Sequence, residues 1–139
     1  MKLHSDECPM CLSCAECLDH VLVNCSTAKV VGAHIKSWVD WWPWHESTAE
    51  GIWVSLNATG GDNAHKMVRK VIGAAFFWSI WSQRNNKVFK GCCKKETEIF
   101  RDTQFLAFDW IRVVLKAISY LVGTIGSVTR LMPFLLVLL

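Results

Sequence analysis

Residues 8 to 25 read CPMCLSCAECLDHVLVNC, with cysteines at 8, 11, 14, 17 and 25 and a histidine at 20. Thiolates and an imidazole this close in sequence suit the holding of a soft or borderline cation. Zinc takes four such ligands in a tetrahedron; a CxxC turn supplies two sulfurs from one loop, and a later His and Cys close the site from a second segment. Cys8, Cys11, His20 and Cys25 are separated by gaps of two, eight and four residues, which makes a loosened Cys-Cys-His-Cys knuckle. The run Cys8, Cys11, Cys14, Cys17 is also close to an iron–sulfur ladder, although the bacterial signature places three residues before its last cysteine and a proline after it. Unmetallated thiols are the third reading. On the knuckle reading Cys14 and Cys17 are bystanders or substitute ligands.

The 139 residues, 52% of them apolar and 19% charged, are enough for one domain with a core. The opening MKLHSDE is polar and lacks the apolar stretch of a secretory signal. The expectation is an intracellular protein of the nucleus or cytoplasm, where clustered Cys and His bind metal more often than they form disulfides.

The elements that must carry the lobe are helical. Ser26-Thr27 can cap a helix, and apolar residues recur at Val31, Ile35, Trp38 and Trp42, which predicts a helix over 27–41 that Pro43 ends. Residues 43–64 are rich in helix breakers and read as loop, with Ile52 to Leu56 as a short extended piece. Met67, Val71, Ala74, Trp78 and Trp81 fall on one stripe of a helix over 65–89, and Ile99, Thr103, Leu106, Trp110 and Val113 on one stripe of a helix over 94–116. Lys94 and Glu98 can pair one turn apart. The expected fold is mainly α, a small zinc knuckle followed by about three helices. The stripes assign Trp38, Trp42, Trp78, Trp81 and Trp110 to the core and leave Trp44 and Trp53 in the loop as candidates for stacking on bases.

Charge divides the chain. Residues 1–62 carry three lysines against eight acidic residues, whereas residues 66–101 carry nine basic residues against two acidic ones. Phosphate affinity comes from Lys and Arg, so contact with RNA or DNA is assigned to Lys66, Arg69, Lys70, Arg84, Lys87 and Lys90. Arg84-Asn85-Asn86 also has a purely structural reading as the end of the central helix. The lobe itself, residues 4–25, has no Lys or Arg and reads as a structural clamp.

Three separated stretches carry a resemblance. CPMC, Glu16, Asp19-His20-Val21-Leu22, Cys25, Ala28-Lys29, Ile35, Trp38 and Trp41-Trp42 come first; then AAFFWSIWSQRNNKVF, with Trp78, Ile80, Trp81, Arg84, Asn85, Val88 and Phe89; then Ile99-Phe100 and Phe108 to Arg112. In this order they resemble the zinc-binding domain that follows the reverse transcriptase of plant LINE-type retrotransposons. The resemblance covers residues 8–112 and implies a 1–112 domain that helps a parent RNA-directed DNA polymerase hold template RNA or target DNA. The family has no counterparts of Cys14 and Cys17, and its basic stretch beyond Arg112 is replaced here by an apolar tail, 113–139, like that of a decayed element.

Polymerisation needs carboxylates that hold two metal ions. The sequence has no adjacent aspartate pair, and its one tyrosine is Tyr120, so catalysis is not expected of this chain alone. Two other classes stay in view. One is a zinc-stabilised protein-interaction module, in which the acidic knuckle and exposed tryptophans meet a partner. The other is a tail-anchored membrane protein, opposed by Arg130 within the apolar stretch and by Gly123 and Gly126.

Overall fold

An N-terminal lobe leads through a π turn, His20–Asn24, into four helices: α1 Ser26–Trp38, α2 Ala49–Ala58, α3 Asn63–Lys90 and α4 Glu96–Val122. The computed structural model describes residues 6–58 and 60–122. The long α3 and α4 form an antiparallel hairpin, and α1 packs on α4, α2 on α3, and the π turn on both α1 and α3. The buried core runs from Val21, Leu22 and Val23 in the π turn through Val31 and Ile35 of α1, Ile52 and Leu56 of α2, Ile72, Phe76 and Ile80 of α3, to Ile99, Thr103 and Ile111 of α4.

Two helix ends follow from local chemistry. Asp62 caps α3 by accepting from the His65 amide at 3.0 Å. At the other end Gly91 takes a left-handed φ of 69° and closes the helix through its N–H to the Lys87 carbonyl. The turn to α4 is tied by Gln83, buried, whose Oε1 accepts from the Lys94 amide at 3.0 Å.

The structure departs from the sequence expectations at several points. Residues 49–58, expected as loop, are helix: Thr48 Oγ1 accepts from the Gly51 amide at 2.9 Å, and Asp19 Oδ1, from the lobe, accepts from the Ala49 amide at 2.9 Å. That second cap comes from thirty residues upstream and leaves no local periodicity to read. Helix α1 stops at Trp38, because Val39 turns extended and carries Trp42 back onto Phe76, edge to face at 5.1 Å. Neither Ser26 nor Thr27 caps it; its N-cap is Cys25.

The buried stripe of α3 lies one residue from the expected one, along Val68, Ile72, Ala75, Phe76, Ser79, Ile80 and Gln83. Trp78 and Trp81 are therefore exposed, at 57% and 38%. In α4 the expected Ile99 and Thr103 are buried, and beyond them the buried face drifts to Ala107, Ile111 and Leu115, which leaves Leu106 and Trp110 partly buried and Val113 outside. Trp42 is buried, and Trp38 and Trp110 pack partly against the core. Lys94 pairs with Asp102 at 2.5 Å rather than with Glu98. Helix α4 continues across the expected 112/113 boundary to Val122. Among the described residues no helix is long and apolar enough to cross a membrane; the remainder of the tail, 123–139, lies outside them.

Candidate metal centre

The lobe starts with a tight turn. The Cys8 carbonyl accepts from the Leu12 amide at 2.9 Å, and the Cys8 amide donates to the Cys14 carbonyl at 2.8 Å. An antiparallel bridge between Glu7 and Ala15 closes the loop behind them. This folds Cys8 and Cys11 toward one side and forces Leu12, just past the second cysteine, to a φ of 54°.

The second pair of donors comes from the π turn. In an α-helix of 3.6 residues per turn, His20 and Cys25 would point about 140° apart. The chain instead closes i to i+5, with the Cys25 amide on the His20 carbonyl at 2.6 Å, and this wider winding brings both side chains to the same side. Asn24 fastens the turn by donating to the Asp19 carbonyl at 3.2 Å and the Ser47 carbonyl at 2.7 Å. Beneath it Val21, Leu22 and Val23 are buried.

As a result, the donor atoms of Cys8, Cys11, His20 and Cys25 all lie within 4.8 Å of one another, close enough to hold one metal ion. Cys8 and Cys25 are buried with their sulfurs 3.9 Å apart; Cys11 and His20 are half-buried with Sγ and Nε2 3.3 Å apart. Cys14 and Cys17 are exposed and outside the cluster. The four-cysteine ladder is thus not assembled, because the loop turns away after Leu12.

The two halves of the CxxC turn differ electrostatically. Burial, together with the neighbouring Cys25, pushes the Cys8 thiol up to about 11. Burial also acts to raise Cys11, but backbone hydrogen bonding at Ser13 and the His20 ring outweigh it and bring the thiol down to about 6. Cys11 and His20 offer a ready half-site, and a bound cation has to displace the proton from Cys8.

Arg84 joins the lobe to α3. Its Nε donates to Glu16 Oε2 at 3.2 Å, its second guanidinium nitrogen pairs with Glu16 Oε1 at 2.5 Å, and its plane lies over the Trp81 ring, 5.4 Å from the centroid. Met10, at the tip of the CxxC turn, meets Cys93 of the α3–α4 turn, sulfur to sulfur at 3.8 Å. Sequence reasoning passed over Glu16 as an anchor; its acidity was visible, but its partner is 68 residues away.

The six basic residues assigned to nucleic acid do not form one patch. Arg69 is 5% exposed, and its guanidinium donates to the Leu56 and Gly60 carbonyls, capping the C-terminal end of α2. Arg84 is engaged with Glu16 in the interior of a long helix, which corrects its reading as a helix end. Lys66 and Lys70 sit near the start of α3, Lys87 and Lys90 at its end, and the 24 residues between Lys66 and Lys90 span about 36 Å. Trp44 and Trp53 are exposed, at 69% and 40%.

No protein-family model, no curated protein and no solved structure matches this chain.

Proposed function

We propose that Cys8, Cys11, His20 and Cys25 hold one structural zinc ion, and that these residues belong to an accessory zinc-binding domain of the kind found in retrotransposon RNA-directed DNA polymerases, with a role in holding nucleic acid. The observation that carries the zinc assignment is dimensional. A tetrahedron built on Zn–S and Zn–N bonds of ordinary length has S–S edges of about 3.8 Å and S–N edges of about 3.6 Å. The sulfurs of Cys8 and Cys25 are 3.9 Å apart, Cys11 Sγ and His20 Nε2 are 3.3 Å apart, and all four donors lie within 4.8 Å of one another, so that a bound ion has only to draw the wider pairs together. Four protein ligands leave no open position, as in structural rather than catalytic sites. When bound, the ion supplies the charge that lets buried Cys8 be a thiolate, and it cross-links the CxxC turn to the π turn.

Nucleic acid is held, on this reading, by the remaining lysines, of which Lys90 is exposed and Lys66, Lys70 and Lys87 are half-buried. Lys66 and Lys70 form one contact and Lys87 and Lys90 another, with Trp44 and Trp53 free to stack on unpaired bases. The lobe contributes rigidity, since its acidic side chains repel phosphate. The chain performs no polymerisation itself. The test is binding of single-stranded RNA across a salt series. Affinity falls steeply with salt, and Lys66→Ala with Lys70→Ala weakens binding and flattens the slope by about two counterions. An unchanged slope in that double variant rejects the assignment.

One observation favours a second reading, a zinc-stabilised protein-interaction module. Trp78 on α3 and Phe105 on α4, 57% and 67% exposed, line the same shallow groove of the hairpin. Salt-insensitive capture of a protein, lost in Trp78→Ala, would place function there.

A further inference from the structure

Away from the metal donors, the face of α1 opposite α4 borders a cleft of about 470 Å³, a size within the roughly 300–1,000 Å³ of small-molecule sites. Val23, Ala28, Ile52, Phe76 and Trp42 give it apolar walls. Its inner surface is completed by Gly32, in the middle of α1, where a helix ordinarily avoids glycine.

Trp42 is unusual among these residues. It is 3% exposed and held edge-on against Phe76, yet among the described residues nothing accepts from its indole N–H. That nitrogen is not sealed in either, since no buried unpaired side-chain nitrogen occurs among those residues. It reaches the cleft beside Gly32, 3.6 Å from where a Cβ on that residue would stand. A buried indole ordinarily finds an acceptor, so the cleft presents a donor without one.

The charges at its mouth are arranged around the same point. Lys29 and Lys36 also line the cleft, and on the helix they lie about one turn before and one turn after Gly32. Lys36 donates to the Asp40 carbonyl, which leaves its charge uncompensated, and Lys29 has no ion-pair partner among the described residues. The one acid on the rim, Glu46, accepts from Ser55 at 2.8 Å and pairs with His45 at 3.4 Å.

We propose that this cleft binds a small apolar carboxylate. The carboxylate lies over Gly32 between Lys29 and Lys36, one oxygen accepts from Trp42 Nε1, and the hydrocarbon body rests against Val23, Ile52 and Phe76. A neutral molecule of the same shape lacks the charge for the lysines, and a short hydrophilic anion lacks the body for the walls. The cleft borders the π turn through Val23 and includes Trp44, but the lysines, Gly32 and Trp42 that define the anion site belong to neither the zinc nor the nucleic-acid assignment.

The test uses the metal-loaded full chain and decanoate, followed by nitrogen-15 NMR of the eight indole N–H signals, with the Trp42 signal identified by its loss in Trp42→Phe. Decanoate shifts that signal downfield and saturably, decanol binds at least tenfold more weakly, and Lys29→Gln weakens decanoate at least threefold. Gly32→Leu, which fills the space, abolishes the shift. The proposal is overturned if the Trp42 signal stays in place while exposed indoles move, or if decanol binds as tightly as decanoate. Should Gly32→Leu fail to fold, the decanol and Lys29→Gln comparisons still decide the matter.

Discussion

Arg84 and Glu16, 68 residues apart, form a two-point ion pair that couples the N-terminal lobe to the C-terminal third of α3. The side chains are 15% and 26% exposed, so the pair is shielded enough to have structural weight. Replacing Arg84 by Ala leaves a half-buried carboxylate unpaired and is expected to destabilise the protein by about 1.5–3 kcal/mol. Hydrogen exchange should quicken in residues 6–25 more than in α4, and a double-mutant cycle with Glu16→Ala should return a positive coupling. Simple additivity of the two variants would contradict the link.

Leu12 predicts a gain. Its left-handed φ of 54° costs a non-glycine residue about 1–2 kcal/mol, and its side chain is 66% exposed, so little burial is lost on removing it. Leu12→Gly gives back about 0.5–1 kcal/mol in chain entropy. The net stabilisation is about 0.5–1 kcal/mol, measurable by denaturant unfolding of the metal-loaded protein.

Gly73 lies on the side of α3 that meets α2, where an added Cβ would overlap Leu56 Cδ1. Leu56 is wholly buried, so any shift of its side chain disturbs the packing around it. Gly73→Val is expected to destabilise by about 1–3 kcal/mol through overpacking. Adding Leu56→Ala should recover part of that loss, so that the two costs do not add.

Asp62 gives a pH dependence. The His65 amide, and then the His65 ring at 2.7 Å, hold its carboxyl below the usual value of 3.8. A depressed folded-state pKa means that the stabilisation is fully present above 3.8 and is lost as pH falls through the lower folded value. Asp62→Asn keeps a capping oxygen but no charge. Its melting temperature should lie below that of the unaltered chain at pH 6, and the two should converge as pH falls below 3.8 and through the lowered folded value. A gap of constant size would show that the charge contributes nothing.

The parts of this fold that are local in sequence were legible. The ligand set came from spacing, and helices α1, α3 and α4 came from apolar recurrence, with ends a few residues off. What escaped is what depends on distant partners. Helix α2 starts on a cap supplied by Asp19, and Arg69 looks like a surface base until the carbonyls of Leu56 and Gly60 are seen around it. The one-residue error in the α3 stripe has another cause. This helix is apolar along two adjacent stripes, and periodicity alone does not say which of them meets α4. The π turn was hidden because a four-residue gap between His20 and Cys25 fixes only that they cooperate, not how the backbone winds to let them.

On the proposed reading three sulfurs and one imidazole hold a single zinc ion. Native mass spectrometry of the purified chain, beside Cys8→Ser and Cys25→Ser, tests it most directly. One zinc per chain is expected in the unaltered protein and none in either variant. A metal-free mass for the folded protein, or a mass carrying iron and inorganic sulfide, would contradict it.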